Sequence, residues 1–206
     1  MTENQTDDRI GRRKTILLVG GAVVALATIG IIFVLPAETG IDPTGFGKAS
    51  GLTEIANPQA SLFLERGQKR KGVLILTSAA PQPIPGVRDH WTYELHPYEE
   101  IELKYILDKG APMAFSWRAD GPLAYDMHAH PFDGGEELTE SYAIADGAGQ
   151  SGHYIAAFSG IHGWHWQNRS MKSVRLTLDT SGRIKGSKLL DGRSTQDRAL
   201  TPPTNP

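Results

Sequence analysis

One segment is apolar without interruption, and most of the chain beyond it alternates. From Thr15 to Leu35 no charged residue occurs, and the run reads T-I-L-L-V-G-G-A-V-V-A-L-A-T-I-G-I-I-F-V-L. A helix of that length is about 30 Å long, the thickness of a bilayer core, so the pattern predicts a transmembrane helix over 15–35. From Gly72 onwards period two takes over. Trp91, Tyr93 and Leu95 alternate with polar neighbours, as do Ile101, Leu103, Tyr105 and Leu107. Met113, Phe115 and Trp117, then Leu123, Tyr125 and Met127, repeat the pattern, and Val174, Leu176 and Leu178 close it. Alternation with one wet face predicts antiparallel strands, about eight of them, arranged as a β-sandwich of jelly-roll-like type over 72–185. Trp164 and Trp166 share parity and are expected on the buried face.

The remaining segments lack either period. Residues 36–71 are rich in glycine and proline at first, and read as a juxtamembrane linker with a short helix at 61–66. The basic group Arg66, Lys69, Arg70 and Lys71 reads as a solvated loop. The polar, glycine-rich stretch 134–152 reads as a long connection, and 186–206 as a disordered tail ending T-P-P-T-N-P. Asn168 is expected to tie a turn through its side chain.

Charge changes the picture by setting an orientation. Arg9, Arg12, Arg13 and Lys14 precede the apolar run, and Glu38 and Asp42 come after it. The positive-inside rule then makes residues 1–14 a cytoplasmic tail and exports the rest. A cleaved signal peptide is the competing reading. The apolar run is long for one, and Pro36-Ala37-Glu38 is a weak cleavage site, so the anchor is expected to be retained. A formal net charge of −2 and the lack of a basic stripe argue against nucleic acid as a partner. The bilayer and an envelope or inner-membrane protein are the expected partners.

The seven histidines are the main chemical resource, because the chain has no cysteine and so no thiolate ligand or nucleophile. Asp126, His128 and His130 share parity on one strand, opposite Leu123, Tyr125 and Met127, with neighbours about 6–7 Å apart. Two imidazoles at i and i+2 and a carboxylate form a candidate metal site. His162 and His165 are further candidates if Gly163 permits a bulge. A nitrogen- and oxygen-rich set suits Cu(II), Zn(II) or Ni(II). Ordinary structural, surface and turn roles are the first reading for these residues, and the metal site is the alternative to it. Catalysis has weaker footing: no serine sits in a G-x-S-x-G elbow, no phosphate loop occurs, and adjacent acidic pairs such as Glu99-Glu100 point to opposite strand faces. The chain is therefore read as a non-enzyme, with an envelope hydrolase as a remote alternative.

Two resemblances add to this. The stretch from Gly152-His153-Tyr154 through Phe158-Ser159-Gly160, Trp164-His165-Trp166, Asn168 and Ser170 resembles the closing pattern of GOLD domains. That family implies a β-sandwich. Over a greater length the chain resembles bacterial single-pass proteins described as transmembrane anchor proteins. Leu35–Gly45 (L-P-A-E-T-G-I-D-P-T-G), Phe115–His128 and Gly160–Arg169 carry that likeness. It implies a bacterial inner-membrane address with a periplasmic domain, and no established activity.

Overall fold

The computed structural model describes residues 3–191 and 194–202, and leaves the side chains of 3–11 and 136 aside. The chain forms two compact units, 1–58 and 59–206.

The first unit is helical. Helix α1 (Glu3–Ile29) passes into a π-helical turn at Gly30–Val34 and then into α2 (Leu35–Thr39). The wide turn has a local cause. Pro36 offers no N–H, and its ring clashes with the carbonyl four residues earlier, so the ladder shifts to i→i+5 with the Leu35 N–H on the Gly30 carbonyl. The span Arg12–Thr39 is long and apolar enough to cross a membrane, and none of its most apolar stretch is buried. Gly40, with φ of 69°, ends it in the left-handed conformation. The tail expected at 1–14 is helical from Glu3, and its first two residues lie outside the described ones.

The expected linker is more structured than its composition suggests. Short helices α3 (Phe46–Ser50) and α4 (Leu52–Ile55) come after α2. The Asp42 carboxylate accepts the N–H groups of Thr44 (3.3 Å) and Lys48 (2.8 Å), which gives the proline- and glycine-rich turn its own hydrogen bonds. Gly47 sits where a Cβ would lie 2.3 Å from Pro36, and Phe46 meets Phe33 edge to face.

The second unit starts with α5 (Ala60–Gln68), which covers the short helix expected at 61–66. Of the basic group expected as a solvated loop, Lys69 and Lys71 are exposed, and Arg66 and Arg70 are anchors. Arg70 grips the Glu140 carboxylate through two nitrogens, and Arg66 donates to the Glu137 carbonyl. Among the described residues nine strands complete the unit: β1 (Leu74–Thr77), β2 (Val87–Leu95), β3 (Glu100–Leu107), β4 (Pro112–Pro131), β5 (Glu140–Ile155), β6 (Gly160–Gln167), β7 (Val174–Gly182), β8 (Gly186–Leu190) and β9 (Thr195–Arg198). All pairings are antiparallel, so the protein is mainly β, as the alternation predicts.

The strands form one hydrogen-bonded sheet, not the two of a sandwich, and β4 is where it branches. One edge of β4 pairs with β5 along most of its length. The other edge pairs with β7 over Met113–Ala119 and with β6 over Ala124–Pro131. Between these halves four residues, Ala119 to Pro122, oppose only Ala148. That excursion keeps parity, so Phe115, Trp117, Met127 and Leu123 all stay inside. The two branches, β7–β2 and β6–β3–β8–β9, then share one core: Trp166 of β6 meets Trp91 of β2 and Trp117 of β4 at 6.0 and 5.9 Å. Trp164 and Trp166 are both fully buried, as their parity predicts.

Two sequence expectations fail here. Most of the connection at 134–152 is strand β5 after a single 3₁₀ turn at Gly135–Leu138. Its glycines mark close backbone approach: a Cβ on Gly152 would lie 2.4 Å from the Ile75 carbonyl oxygen, and one on Gly149 3.0 Å from that of Trp117. The tail expected to be disordered from residue 186 holds β8 on the edge of β3, and β9 on β8. Beyond β9, Thr201 donates to the Asp89 carboxylate. Residues 192, 193 and 203–206 of that tail lie outside the described ones.

Candidate functional site

The outer face of the β4–β6–β3 branch carries the polar cluster. Register places Asp126, His165 and Glu102 in one cross-strand row, and Ser141, His128, Gly163 and Lys104 in the next. Neighbouring strands lie about 4.8 Å apart, so Lys104 and His128 are separated by nearly 10 Å at their backbones. Gly163, between them, has no side chain. The long Lys104 stem lies across that gap, and its Nζ reaches within 2.6 Å of His128 Nε2. Any larger residue at 163 would also strike the Leu103 carbonyl oxygen, 2.0 Å from the position of a Cβ.

Each group has a definite orientation. His128 Nδ1 faces the Asp126 carbonyl (3.3 Å) and carboxylate (3.5 Å), which leaves Nε2 to accept from Lys104. Thr139 Oγ1 meets His130 Nδ1 at 2.7 Å. The two imidazoles stand edge to face with centroids 4.9 Å apart. Glu102 lies 3.3 Å from the Lys104 amine and 3.7 Å from His128 Nε2. Ser141 donates to one Asp126 oxygen at 3.1 Å, and the other oxygen is buried without a hydrogen-bond partner.

Burial governs the protonation states. Lys104 is wholly buried, and desolvation pushes its amine below the usual lysine range, while the Glu102 and Asp126 carboxylates draw the proton back. Burial holds His128 well below 6.5, and the charge of Lys104 adds to this. The same two causes, in the same order, lower His130 to about 4. Asp126 is pushed up to about 6 by burial, against the pull of Lys104 and the Ser141 hydrogen bond. The cluster therefore holds its imidazoles neutral near neutral pH, the form in which they bind metals.

The five residues singled out by sequence divide. His128 and His130 converge, and their ligand atoms lie within 4.8 Å of one another and of a Glu102 oxygen. Asp126 braces His128. His165 turns to Glu100, 3.3 Å from its Nε2, and lies outside that group. His162 is on the opposite face. Its Nδ1 meets the Tyr154 hydroxyl at 2.8 Å inside the core, and burial lowers it to about 3. No bulge at Gly163 reverses this, because β6 pairs without interruption with both β3 and β4.

Glu102 and Lys104 are the site residues that sequence reasoning missed. Both are polar positions of an alternating strand, which ordinarily means a solvated face. Asn168 behaves as expected: its side-chain nitrogen donates to the carbonyls of Leu95, His96 and Lys172, and its oxygen accepts from Ser170.

No protein-family model matches the chain, and no curated protein matches it. Its own residues carry the functional reading.

Proposed function

We propose that this is a single-pass membrane protein that tethers its β-domain on the periplasmic side of a bacterial inner membrane, as a non-enzymatic binding module for an envelope or membrane protein. The observation that carries the reading is the unburied apolar helix Arg12–Thr39. In water such a surface is unfavourable by roughly 25 cal/mol per Å², and a bilayer removes it. Arg12, Arg13 and Lys14 at one end, and Glu38 and Asp42 around the other, support an N-terminus in the cytoplasm. The resemblance to bacterial anchor proteins supplies the compartment.

The surface chemistry favours binding over turnover. A groove of about 300 Å³ lies against the outer face of β4 and β7, lined by Pro81, Arg88, Ser116, Arg118 and Asp179 among others. It is of a size to take a few side chains of a partner, at the small end for a ligand site. Next to it His90 Nδ1 pairs with Asp179 at 2.6 Å. In register the order across the strands is His90, Asp179, Ser116. A hydrolytic triad needs its histidine between the acid and the serine, and here the acid is in the middle.

Two fusions at the C-terminus test the topology: a phosphatase active only outside the cytoplasm, and a fluorescent protein that matures only inside. The phosphatase is expected to be active and membrane-bound. Activity of the cytoplasmic reporter alone, or a mature N-terminus near Glu38, would refute the tethered reading.

A further inference from the structure

We propose that Glu102, His128 and His130 bind one divalent transition-metal ion of the Cu(II), Zn(II) or Ni(II) class, and that Lys104 holds the ion's place in the metal-free protein as an internal competitor. This goes beyond tethering and does not depend on it.

The donor set is two imidazoles and a carboxylate, with ligand atoms within 4.8 Å of one another. Around an ion with bonds of about 2.0–2.2 Å, ligand atoms stand roughly 3.4 Å apart. The three groups therefore need to close by up to about 1.4 Å, within the reach of side-chain rotation. Their outer contacts are those of metal-binding histidines. Each uses Nδ1 on a protein oxygen, His128 on the Asp126 carbonyl and carboxylate and His130 on Thr139, so each has Nε2 for the ion. His128 is almost fully buried, whereas Glu102 is part-exposed and opens a way in from solvent.

Lys104 contacts two of the three ligands, His128 Nε2 at 2.6 Å and Glu102 at 3.3 Å. An ammonium and a divalent ion cannot share those two atoms, so binding displaces the amine. The buried Asp126 oxygen that lacks a hydrogen-bond partner is an acceptor for the displaced amine, and Lys104 already feels the Asp126 charge. A lysine that ties the ligands together gives His128 Nε2 and Glu102 a partner in the absence of an ion, and it weakens the apparent affinity by the strength of the contacts it must give up.

The test uses the full-length protein in detergent, titrated with Zn(II) by calorimetry and with Cu(II) by electron paramagnetic resonance. One equivalent should bind, and the Cu(II) spectrum should show coupling to two imidazole nitrogens. His128→Ala with His130→Ala should abolish that coupling, and Glu102→Gln should weaken Zn(II) at least tenfold. Lys104→Met should tighten Zn(II) at least tenfold, and Lys104→Gln, which keeps polarity, should act in the same direction. No wild-type binding tighter than about 10 μM overturns the site, whatever the lysine variants do. So does a Cu(II) spectrum without two-nitrogen coupling, a readout that needs no variant to fold. Equal affinity in wild type and both lysine variants overturns the competitor role.

Discussion

Asn168→Ala should be among the most damaging single changes in the β-domain, although Asn168 touches no candidate ligand. Its side chain is fully buried. The amide nitrogen lies 3.2, 3.0 and 2.7 Å from the carbonyl oxygens of Leu95, His96 and Lys172, and the amide oxygen accepts the Ser170 N–H and hydroxyl at 3.0 and 2.8 Å. Two protons donated and two accepted make four hydrogen bonds, each worth about 1 kcal/mol net, so alanine should cost about 4 kcal/mol. A domain of this size has about 5–15 kcal/mol in all. Asn168→Asp is the sharper probe. It preserves shape and the Ser170 contacts, yet it turns a carboxylate oxygen towards three carbonyl oxygens. At pH 7 it should be less stable than the alanine variant by at least about 1 kcal/mol, since a buried charge then faces only acceptors. All four tryptophans lie in the β-strands, so urea unfolding of the full-length protein followed by their fluorescence reports the domain directly. If Asn168→Asp unfolds at the same urea concentration as wild type, the donor assignment is wrong.

Trp164→Ala removes a fully buried indole stacked at 5.8 Å on Trp166 and should cost about 3–5 kcal/mol by the same urea assay; an unchanged midpoint would count against the shared core. Gly163→Ala forces β3 off β6, because its Cβ would lie 2.0 Å from the Leu103 oxygen, and should lose about 1–3 kcal/mol, with hydrogen exchange rising first in β3; protection equal to wild type would refute the close approach. Acid should destabilise the domain. His162, lowered by burial to about 3, refuses a proton that the unfolded chain takes up at about 6.5, so stability falls as pH drops below 6.5, by about 2 kcal/mol at pH 5 for this group alone. His130, lowered to about 4, adds a loss of the same sign, and Asp126, raised to about 6, returns part of it as it protonates. His162→Asn should flatten the stability profile between pH 7 and 5 by about 2 kcal/mol; an unaltered slope would mean that His162 is already protonated in the fold.

The strands were legible because one face of each is dry, and period two survives in β2, β3, β4 and β7. The same parity correctly put Asp126, His128 and His130 on one face. Parity within a strand says nothing of its neighbours. That β3 sits two strands from β4, with a glycine between Lys104 and His128, is a fact of register that no local pattern carries. The missed strands share a different cause. In β5 Gly149 and Gly152 answer to neighbouring carbonyls, which composition cannot distinguish from a loop. In β8 and β9 the pattern is too short to read: β8 spans five residues and β9, at the edge of the sheet, four polar ones, and only Ser187 of the two strands is buried. The branching at β4 depends on four residues opposite one, and period two runs straight through it.

The buried Asp89 carboxylate is satisfied by Tyr105, by Arg198 and by the Thr201 N–H. Two of these partners lie 109 and 112 residues further along the chain. Strand β2 likewise waits for β7, and β3 for β8. Contacts this distant make a high contact order, which places folding in the millisecond-to-second range. They also set an order of events during synthesis. Until the chain through Arg198 has emerged, Asp89 has no cation to meet and β3 presents an open edge that another strand can pair with. A nascent or truncated chain ending before Gly186 is thus an aggregation hazard, and the short polar segment that seals it acts as the clasp that makes the domain safe to release.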